Sequence, residues 1–301
     1  MNESESPLIS IIVNCYNGEK YLTQALESIL KQTYKNWEII FWDNQSTDKS
    51  ANIYKAYQDS RFRYFYAEKH TSLYEARNLA IEKSKGDFIS FLDTDDLWNE
   101  NKLHIQIAYF KNFEVGVVYS NLWLIKKSEN IKKLYSKKKL PSGEIFDELI
   151  KNYNVGIVTA LIRKKYYLDL NVKFDKRFSI IGDFDLMLRL SKLCVFKSIQ
   201  EPLASYRLHG KNLSTLKKEK EIEEYKIWLE ENNCDLNSHN INKIKESVNY
   251  RKFVNYKVDG KYFECFKMIF FSRINKLYFK KLVILLMPTI ILKKIFWYHQ
   301  D

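Results

Sequence analysis

The chain of 301 residues alternates short apolar runs with segments whose apolar residues recur at helical spacing. A helix repeats its buried face every three to four residues, whereas a strand buried on both faces is a continuous apolar run. Strands that alternate with helices are typical of a mostly parallel sheet covered by helices. We therefore predict strands at 8–13, 37–42, 62–67, 88–92 and 115–125, and helices at 19–32, 48–57, 73–83 and 101–113.

Polar side chains follow three of the predicted strands. Ligands of an open parallel sheet bind beyond the carboxyl ends of its strands, so these side chains are expected to line one crevice. Three acidic residues fall within four positions, and a hard divalent cation would offset their mutual repulsion. The alternative is an Asp-rich turn that caps the following helix. The residues are Asn14, Cys15, Tyr16 and Asn17, then Asp43 and Asn44, then Asp93, Thr94, Asp95 and Asp96.

The composition excludes several classes of protein. Hydrophobic residues make up 46% and charged residues 29%, which supports a packed core and excludes wholesale disorder. The four cysteines are widely spaced, so we expect neither a disulfide framework nor a thiolate zinc site, and a reducing cytoplasm fits. No apolar stretch reaches the ~18 residues that span a bilayer, and no secretory signal is recognised.

Positive charge is concentrated in two segments of the chain. Lys+Arg total 49 against 37 Asp+Glu, a net charge of +12, and the segments 122–140 and 261–301 each carry +6. Lysine dominates this excess, whereas forked recognition of nucleic acid tends to use arginine, so no nucleic-acid partner is expected. The excess indicates either a functional basic surface or a compositional bias.

The last third of the chain differs from the rest, and we predict a domain at 1–214 followed by a helical region at 215–301. Ten apolar-leaning residues around Pro288 are bracketed by Lys280–Lys281 and Lys293–Lys294. This stretch is too short to span a bilayer, but it suits a helix lying on an anionic membrane surface with snorkelling lysines. The alternatives are a buried helix packed on the core and a dimer contact.

Six short motifs, in order, resemble those of the large inverting family-2 glycosyltransferases. The resemblance covers 8–214 and implies an α/β GT-A fold, with a Rossmann-like, mostly parallel sheet flanked by helices and a helical C-terminal extension. The motifs are ISIIVNCYN at 9–17, WDNQSTD at 42–48, EARN at 75–78, GDFISFLDTDD at 86–96, GDFDLMLRL at 182–190 and YRLH at 206–209.

The resemblance implies a set of residues that bind a nucleotide-diphosphate sugar. Asn44 stands where the family often has Asp, which leaves the identity of the base open. The alternative for Arg77 is an ion pair with a nearby carboxylate. The implied residues are Asn14 and Tyr16 around the base, Asp43 and Asn44 reading the base, Arg77 bracing the crevice or the diphosphate, and Asp93 at the ribose or the metal.

The resemblance also implies a metal and a catalytic base. Asp95 would be the principal ligand of Mn²⁺ or Mg²⁺, and His209 would contact the metal or the leaving diphosphate. Asp183 would accept the proton of the acceptor hydroxyl, with Gly182 in place of the frequent Glu. The structural alternative for Asp183 is a helix N-cap.

The implied function is metal-dependent inverting transfer from a UDP-sugar or related donor. The acceptor would be a glycan or lipid-linked glycan of bacterial surface polysaccharide, such as lipopolysaccharide or capsule. We expect a cytoplasmic protein, peripheral on the inner face of the plasma membrane. Two alternatives remain: a phosphatase of the haloacid-dehalogenase type with Asp93 as nucleophile, and a non-enzymatic basic adaptor that binds a membrane or nucleic acid.

Overall fold

The computed structural model describes residues 6–126, 131–210, 212–272, 274, 276–289 and 291–292. The chain forms two compact units, Met1–Arg207 and Leu208–Asp301. The division expected after residue 214 stays a prediction. Lys127, Lys293 and Lys294 of the two basic segments lie outside the described residues.

A single sheet forms the centre of the first unit. Strands occur at all five predicted places, and the structure adds the two-residue β5, the β7 and β8 strands, and the long β9. Polar residues of β9, among them Gln200 and Glu201, break the apolar pattern that reveals a strand. The strands are β1 (Ile9–Cys15), β2 (Trp37–Asp43), β3 (Phe62–Tyr66), β4 (Phe88–Phe91), β5 (Leu97–Trp98), β6 (Val115–Lys126), β7 (Ile131–Leu134), β8 (Leu161–Arg163) and β9 (Val195–Arg207).

The order of the strands places the polar strand ends side by side. Among the described residues the order is β3-β2-β1-β4-β8-β6-β9-β5, and β7 pairs with β6. The first four strands are mutually parallel. β6 and β9 are also parallel, whereas β5, β7 and β8 make antiparallel pairings. Because β2, β1 and β4 are parallel neighbours, the residues that follow them meet at one edge of the sheet.

Helices cover the sheet and build the second unit. α1 buries Leu22, Ala25, Leu26 and Ile29, which recur at helical spacing as predicted. The helix predicted at 101–113 is α4 followed by a short 3₁₀ turn, Ala108–Lys111. The helices are α1 (Glu19–Leu30), α2 (Ser50–Lys55), α3 (Leu73–Glu82), α4 (Lys102–Ile107), α5 (Phe146–Lys151), α6 (Lys164–Asp169), α7 (Gly182–Ser191), α8 (Leu213–Leu216), α9 (Lys218–Glu231), α10 (Ser238–Val258), α11 (Tyr262–Phe270) and α12 (Lys276–Leu286).

The second unit has a small apolar core of its own. Side chains of α10, α11 and α12 meet in it, and Leu292 joins them from beyond α12. Within the described residues, no helix combines the length and apolar character needed to cross a membrane. The buried core residues are Phe253, Val254, Cys265, Ile269, Ile284 and Leu292.

A lysine is buried in the first unit without a carboxylate in hydrogen-bonding distance. Lys102 has no exposed surface. Its Nζ donates to Ser90 Oγ at 2.9 Å and lies 4.0 Å from the centre of the Trp98 ring. Burial lowers the pKa of Lys102 well below its ordinary value. The folded chain therefore has a neutral amine, or a charge that is poorly solvated, at this place.

We predict that Lys102→Met stabilises the fold. The free energy of unfolding at pH 7 should rise by about 1–3 kcal/mol, because an apolar side chain of similar length replaces a buried polar group. The unfolded chain binds the proton more tightly, so the parent gains stability as pH rises towards lysine's ordinary pKa of about 10.4. The difference in free energy of unfolding between Lys102→Met and the parent should therefore be smaller at pH 10 than at pH 7, as measured by urea titration. The exposed Lys111→Met is the control. A less stable Lys102→Met at pH 7 would contradict this account.

Candidate active site

The loops after β1, β2 and β4 are held against one another. Cys15 and Asp43 are register partners at the ends of β1 and β2. Asn17 Oδ1 accepts from the Thr47 backbone N–H at 2.8 Å, which joins the first two loops. A Cβ added at Gly18 would lie 2.8 Å from Thr94 Oγ1, so the β1 loop also packs closely on the turn after β4. The three predicted polar clusters therefore form one site.

Arg77 lies beneath this site and pairs with Asp93. Its Nη2 donates to Asp93 Oδ1 at 2.8 Å, and only 2% of the residue is exposed. The guanidinium also lies 5.5–5.8 Å from the ring centres of Tyr74, Phe91 and Phe174. Burial would lower the pKa of Arg77, but nearby groups, Asp93 first, raise it overall. The structure therefore has the ion pair that is the alternative for Arg77, and its role in bracing the crevice or the diphosphate stays a prediction.

Asp183 lies near this ion pair, in the first turn of α7. The N-cap position belongs to Ile181, which makes no side-chain cap bond, so Asp183 is not the N-cap. Asp183 Oδ1 accepts from its neighbour Phe184 N–H at 2.9 Å. The Tyr74 hydroxyl donates to the Ile180 carbonyl oxygen at 2.8 Å and lies 3.4 Å from Asp183 Oδ1. Burial raises the pKa of Asp183, opposed by the charge of Arg77 and assisted by that of Asp93. A carboxylate with a raised pKa is suited to accept a proton.

The turn after β4 holds two further carboxylates in different surroundings. Asp96 is fully buried; its Oδ1 accepts from the Arg207 backbone N–H at 2.9 Å, and its Oδ2 has no hydrogen-bond partner among the described residues. Burial, followed by Asp95 and Asp93, raises the pKa of Asp96 well above its ordinary value. Asp93 and Asp95 are partly exposed. Arg207 Nε donates to the Asp95 carbonyl oxygen at 2.8 Å and holds the turn in place.

The acidic side chains of this site match only one of the ways in which proteins hold a divalent metal ion. Over the described residues, no three side chains of His, Cys, Asp or Glu converge as a metal-binding cluster. Mg²⁺ and Mn²⁺ are usually held by one or two carboxylates together with substrate phosphates and water. Two partly exposed carboxylates, Asp93 and Asp95, fit that second arrangement.

The side chains of Asp43 and Asn44 form hydrogen bonds within the protein that the sequence did not predict. Asp43 is fully buried, and its two oxygens accept from the Ser46 backbone N–H and the Tyr64 hydroxyl, each at 2.7 Å. The Asn44 amide donates to the Thr71 carbonyl at 2.9 Å and accepts from the Thr71 backbone N–H at 3.2 Å. Both side chains hold the loops that surround the crevice.

The exposed side of the crevice has an aromatic pair. Tyr16 is 56% exposed, and its ring centre lies 4.4 Å from that of His70. His70 Nδ1 lies 2.9 Å from the Asn44 carbonyl oxygen. Asn14 Nδ2 is buried and has no hydrogen-bond partner among the described residues. The exposed Tyr16 ring is suited to stack on a nucleobase.

Three residues of the candidate site were not predicted from the sequence. His70 was missed because it stands alone in a polar loop. Tyr74 is on the predicted helix, three residues before Arg77, but only the fold brings it to Gly182. Arg207 lies in a quoted motif, and no role follows from that motif. His209 belongs to the second unit, where its backbone N–H donates to Asn212 Oδ1 at 2.7 Å, and its predicted role stays a prediction.

Comparisons with known proteins agree with the fold. Residues 10–187 match Glycosyl transferase family 2. The UDP-Glc:alpha-D-GlcNAc-diphosphoundecaprenol beta-1,3-glucosyltransferase WfgD of Escherichia coli is 31% identical over 189 residues, which are 58% of this chain and 73% of that protein. The amylovoran biosynthesis glycosyltransferase AmsB of Erwinia amylovora is 28% identical over 266 residues, which are 84% of this chain and 85% of that protein.

Solved structures show the same fold. Residues 1–349 of TarS from S. aureus superpose with a TM-score of 0.64 at 18% identity, over 92% of this chain and 79% of that chain. This chain spans 43% of the length of a longer TarS structure. The mannosyltransferase PcManGT from Pyrobaculum calidifontis, in complex with GDP-Man and Mn²⁺, has a TM-score of 0.58 at 13% identity, over 76% of this chain and 66% of that chain.

Fold and comparisons together define the class: an α/β enzyme of the GT-A type that transfers glycosyl groups. The chain belongs to glycosyltransferase family 2. The predicted fold class and enzyme class are confirmed, and family membership argues against the phosphatase and the non-enzymatic adaptor.

The absence of a side chain at Gly182 makes room for Tyr74. A Cβ at Gly182 would lie 2.6 Å from the Tyr74 ring. We predict that Gly182→Ala lowers the free energy of unfolding by about 1–3 kcal/mol, because the overpacked ring has to move. Thermal unfolding of single and double variants measures this coupling.

The matched backgrounds are Tyr74→Leu, which removes the ring, and Tyr74→Phe, which keeps it. The cost of Gly182→Ala should fall in the first background and stay unchanged in the second. Equal costs in both backgrounds would show that the ring is not the obstacle.

Proposed function

We propose that the chain is a metal-dependent inverting glycosyltransferase that uses a nucleotide-diphosphate sugar, with UDP as its nucleotide. The acceptor would be a glycan or lipid-linked glycan of bacterial surface polysaccharide, of the lipopolysaccharide or capsule type. Support comes from the name of the E. coli relative, from the amylovoran relative, and from TarS structures with UDP and UDP-GlcNAc. The observation that carries the proposal is the grouping of Asp183 with the ion pair of Arg77 and Asp93, of which Asp93 follows β4.

The proposed reaction is a single displacement. The acceptor hydroxyl oxygen forms a bond to the anomeric carbon while the bond to the nucleotide diphosphate breaks. Asp183 accepts the hydroxyl proton, and the raised pKa of Asp183 makes this transfer more favourable than at an ordinary carboxylate. The Tyr74 hydroxyl lies 3.4 Å from Asp183 Oδ1, beside the candidate acceptor of the proton.

The donor would bind along the ends of β1, β2 and β4. Tyr16 and His70 would stack on the base, and Asn14 would line the base pocket. Asp93, held by Arg77, would meet the ribose or the metal. Asp43 and Asn44 would act indirectly, because their hydrogen bonds to Tyr64 and Thr71 hold the loops around the base.

Mn²⁺ or Mg²⁺ would be held by Asp95, with Asp93 as a second protein ligand. A divalent cation there would neutralise charge that develops on the leaving diphosphate. Buried Asp96 would support the turn through Arg207 and would not serve as a ligand.

Asp183→Asn tests the base. This variant should bind a UDP-sugar like the parent chain and lose at least about 100-fold in transfer rate, because the amide cannot accept the proton. Released nucleoside diphosphate with Mn²⁺ or Mg²⁺ measures transfer, and thermal shift measures donor binding. The exposed Asp169→Asn is the matched control and should transfer at the parent rate.

Asp95→Ala distinguishes the metal from the base in the same assays. This variant should lose the metal-dependent part of donor binding, which Asp183→Asn retains. Transfer at the parent rate by Asp183→Asn would refute the assignment of the base. Metal-dependent donor binding that survives Asp95→Ala would refute the assignment of the metal ligand.

A further inference from the structure

Helix α11 is apolar on two opposite sides. One side buries Cys265 and Ile269 in the core of the second unit. Phe263, Phe266 and Phe270 point away from that core, with 70%, 58% and 82% of their surfaces exposed. Their spacing of three and four residues puts them on one side of the helix. Nothing within the described residues covers these rings, so this side of α11 is suited to an external apolar partner.

Helix α12 repeats the arrangement. Ile284 is buried in the same core, whereas Phe279, Val283 and Leu286 are exposed at the same three- and four-residue spacing. Phe271, just after α11, is also exposed. We call these seven residues the aromatic surface: Phe263, Phe266, Phe270, Phe271, Phe279, Val283 and Leu286.

Lysines accompany the aromatic surface. Among the described side chains of 261–292, the exposed lysines are Lys261, Lys267 and Lys280, and the one acidic residue is Glu264. Lys267 lies on the exposed side of α11, with its Nζ 4.4 Å from the centre of the Phe263 ring and 3.4 Å from Glu264. Lys280 is exposed on α12. Aromatic rings with lysines at their margin are the composition of a surface that enters the headgroup region of an anionic bilayer.

A second copy of the chain fits this surface less well. A two-fold contact would bring the same patch of both copies together, and with it two sets of lysines. A bilayer surface instead accepts the rings and attracts the lysines at the same time. Charge therefore favours the membrane over self-association.

We propose that the aromatic surface of α11 and α12 attaches the chain to anionic membranes. This relocates the membrane contact expected at 282–292. In that stretch Ile284 and Leu292 are core residues, and only part of it, including Val283 and Leu286, is exposed. The inference concerns binding alone, so it does not depend on the transfer reaction.

Co-sedimentation of the full chain with lipid vesicles tests the proposal. The parent should bind vesicles that contain phosphatidylglycerol more tightly than pure phosphatidylcholine vesicles, and raising the salt should weaken this binding. The triple variant Phe263→Gln, Phe266→Gln, Phe270→Gln should bind at least about 100-fold more weakly, since each buried ring is worth about tenfold. Glutamine is chosen because it retains helix propensity.

The matched control is Phe113→Gln, which removes an equally exposed ring (80%) from the first unit and should bind like the parent. Circular dichroism establishes that the triple variant stays helical. Vesicle binding that is absent in the parent, or that persists in a folded triple variant, would overturn the proposal. Sedimentation velocity tests the alternative. If the parent is a dimer and the triple variant is a monomer, the aromatic surface is a self-association contact instead.

Discussion

The ion pair between Arg77 and Asp93 is the interaction on which the site depends. It joins α3 to the end of β4 at 2.8 Å, with the guanidinium 2% exposed. Removing the carboxylate partner of a buried arginine is strongly destabilising, so the ion pair holds both Arg77 and Asp93 in place. The positive charge also opposes the burial effect on Asp183. The Arg77 guanidinium thereby holds Asp93 in place and opposes the rise in the pKa of Asp183, the proposed base.

Helix α3 also contacts the start of α7 through Tyr74. Tyr74 and Arg77 are three residues apart and so lie on the same side of the helix. The Tyr74 hydroxyl contacts Asp183, and its ring occupies the space left by the absent side chain of Gly182. The family frequently has Glu at that position, and here the ring fills part of the volume that such a side chain would need. Side chains of one helix therefore contact both Asp93 and Asp183.

The sequence predicts the first half of the fold well because β1 and β2 are buried and read as apolar runs. It also predicts that Asp93 and the residues after β1 meet, because parallel neighbours end at one edge. It does not predict β9, whose polar residues interrupt the pattern. Nor does it reveal that Asp43 is enclosed by Tyr64, or that Phe270 is exposed rather than buried, since a helix with two apolar sides reads like any buried helix.

The pH dependence of kcat in Arg77→Met and Arg77→Lys tests the central claim most directly. The base must be deprotonated to act, so transfer falls as pH drops through the pKa of Asp183. Arg77→Met removes the charge that holds this pKa down, so the acid limb should move to higher pH. Arg77→Lys keeps a charge and should shift less. An acid limb that stays at the parent position in a folded, active Arg77→Met would contradict the account.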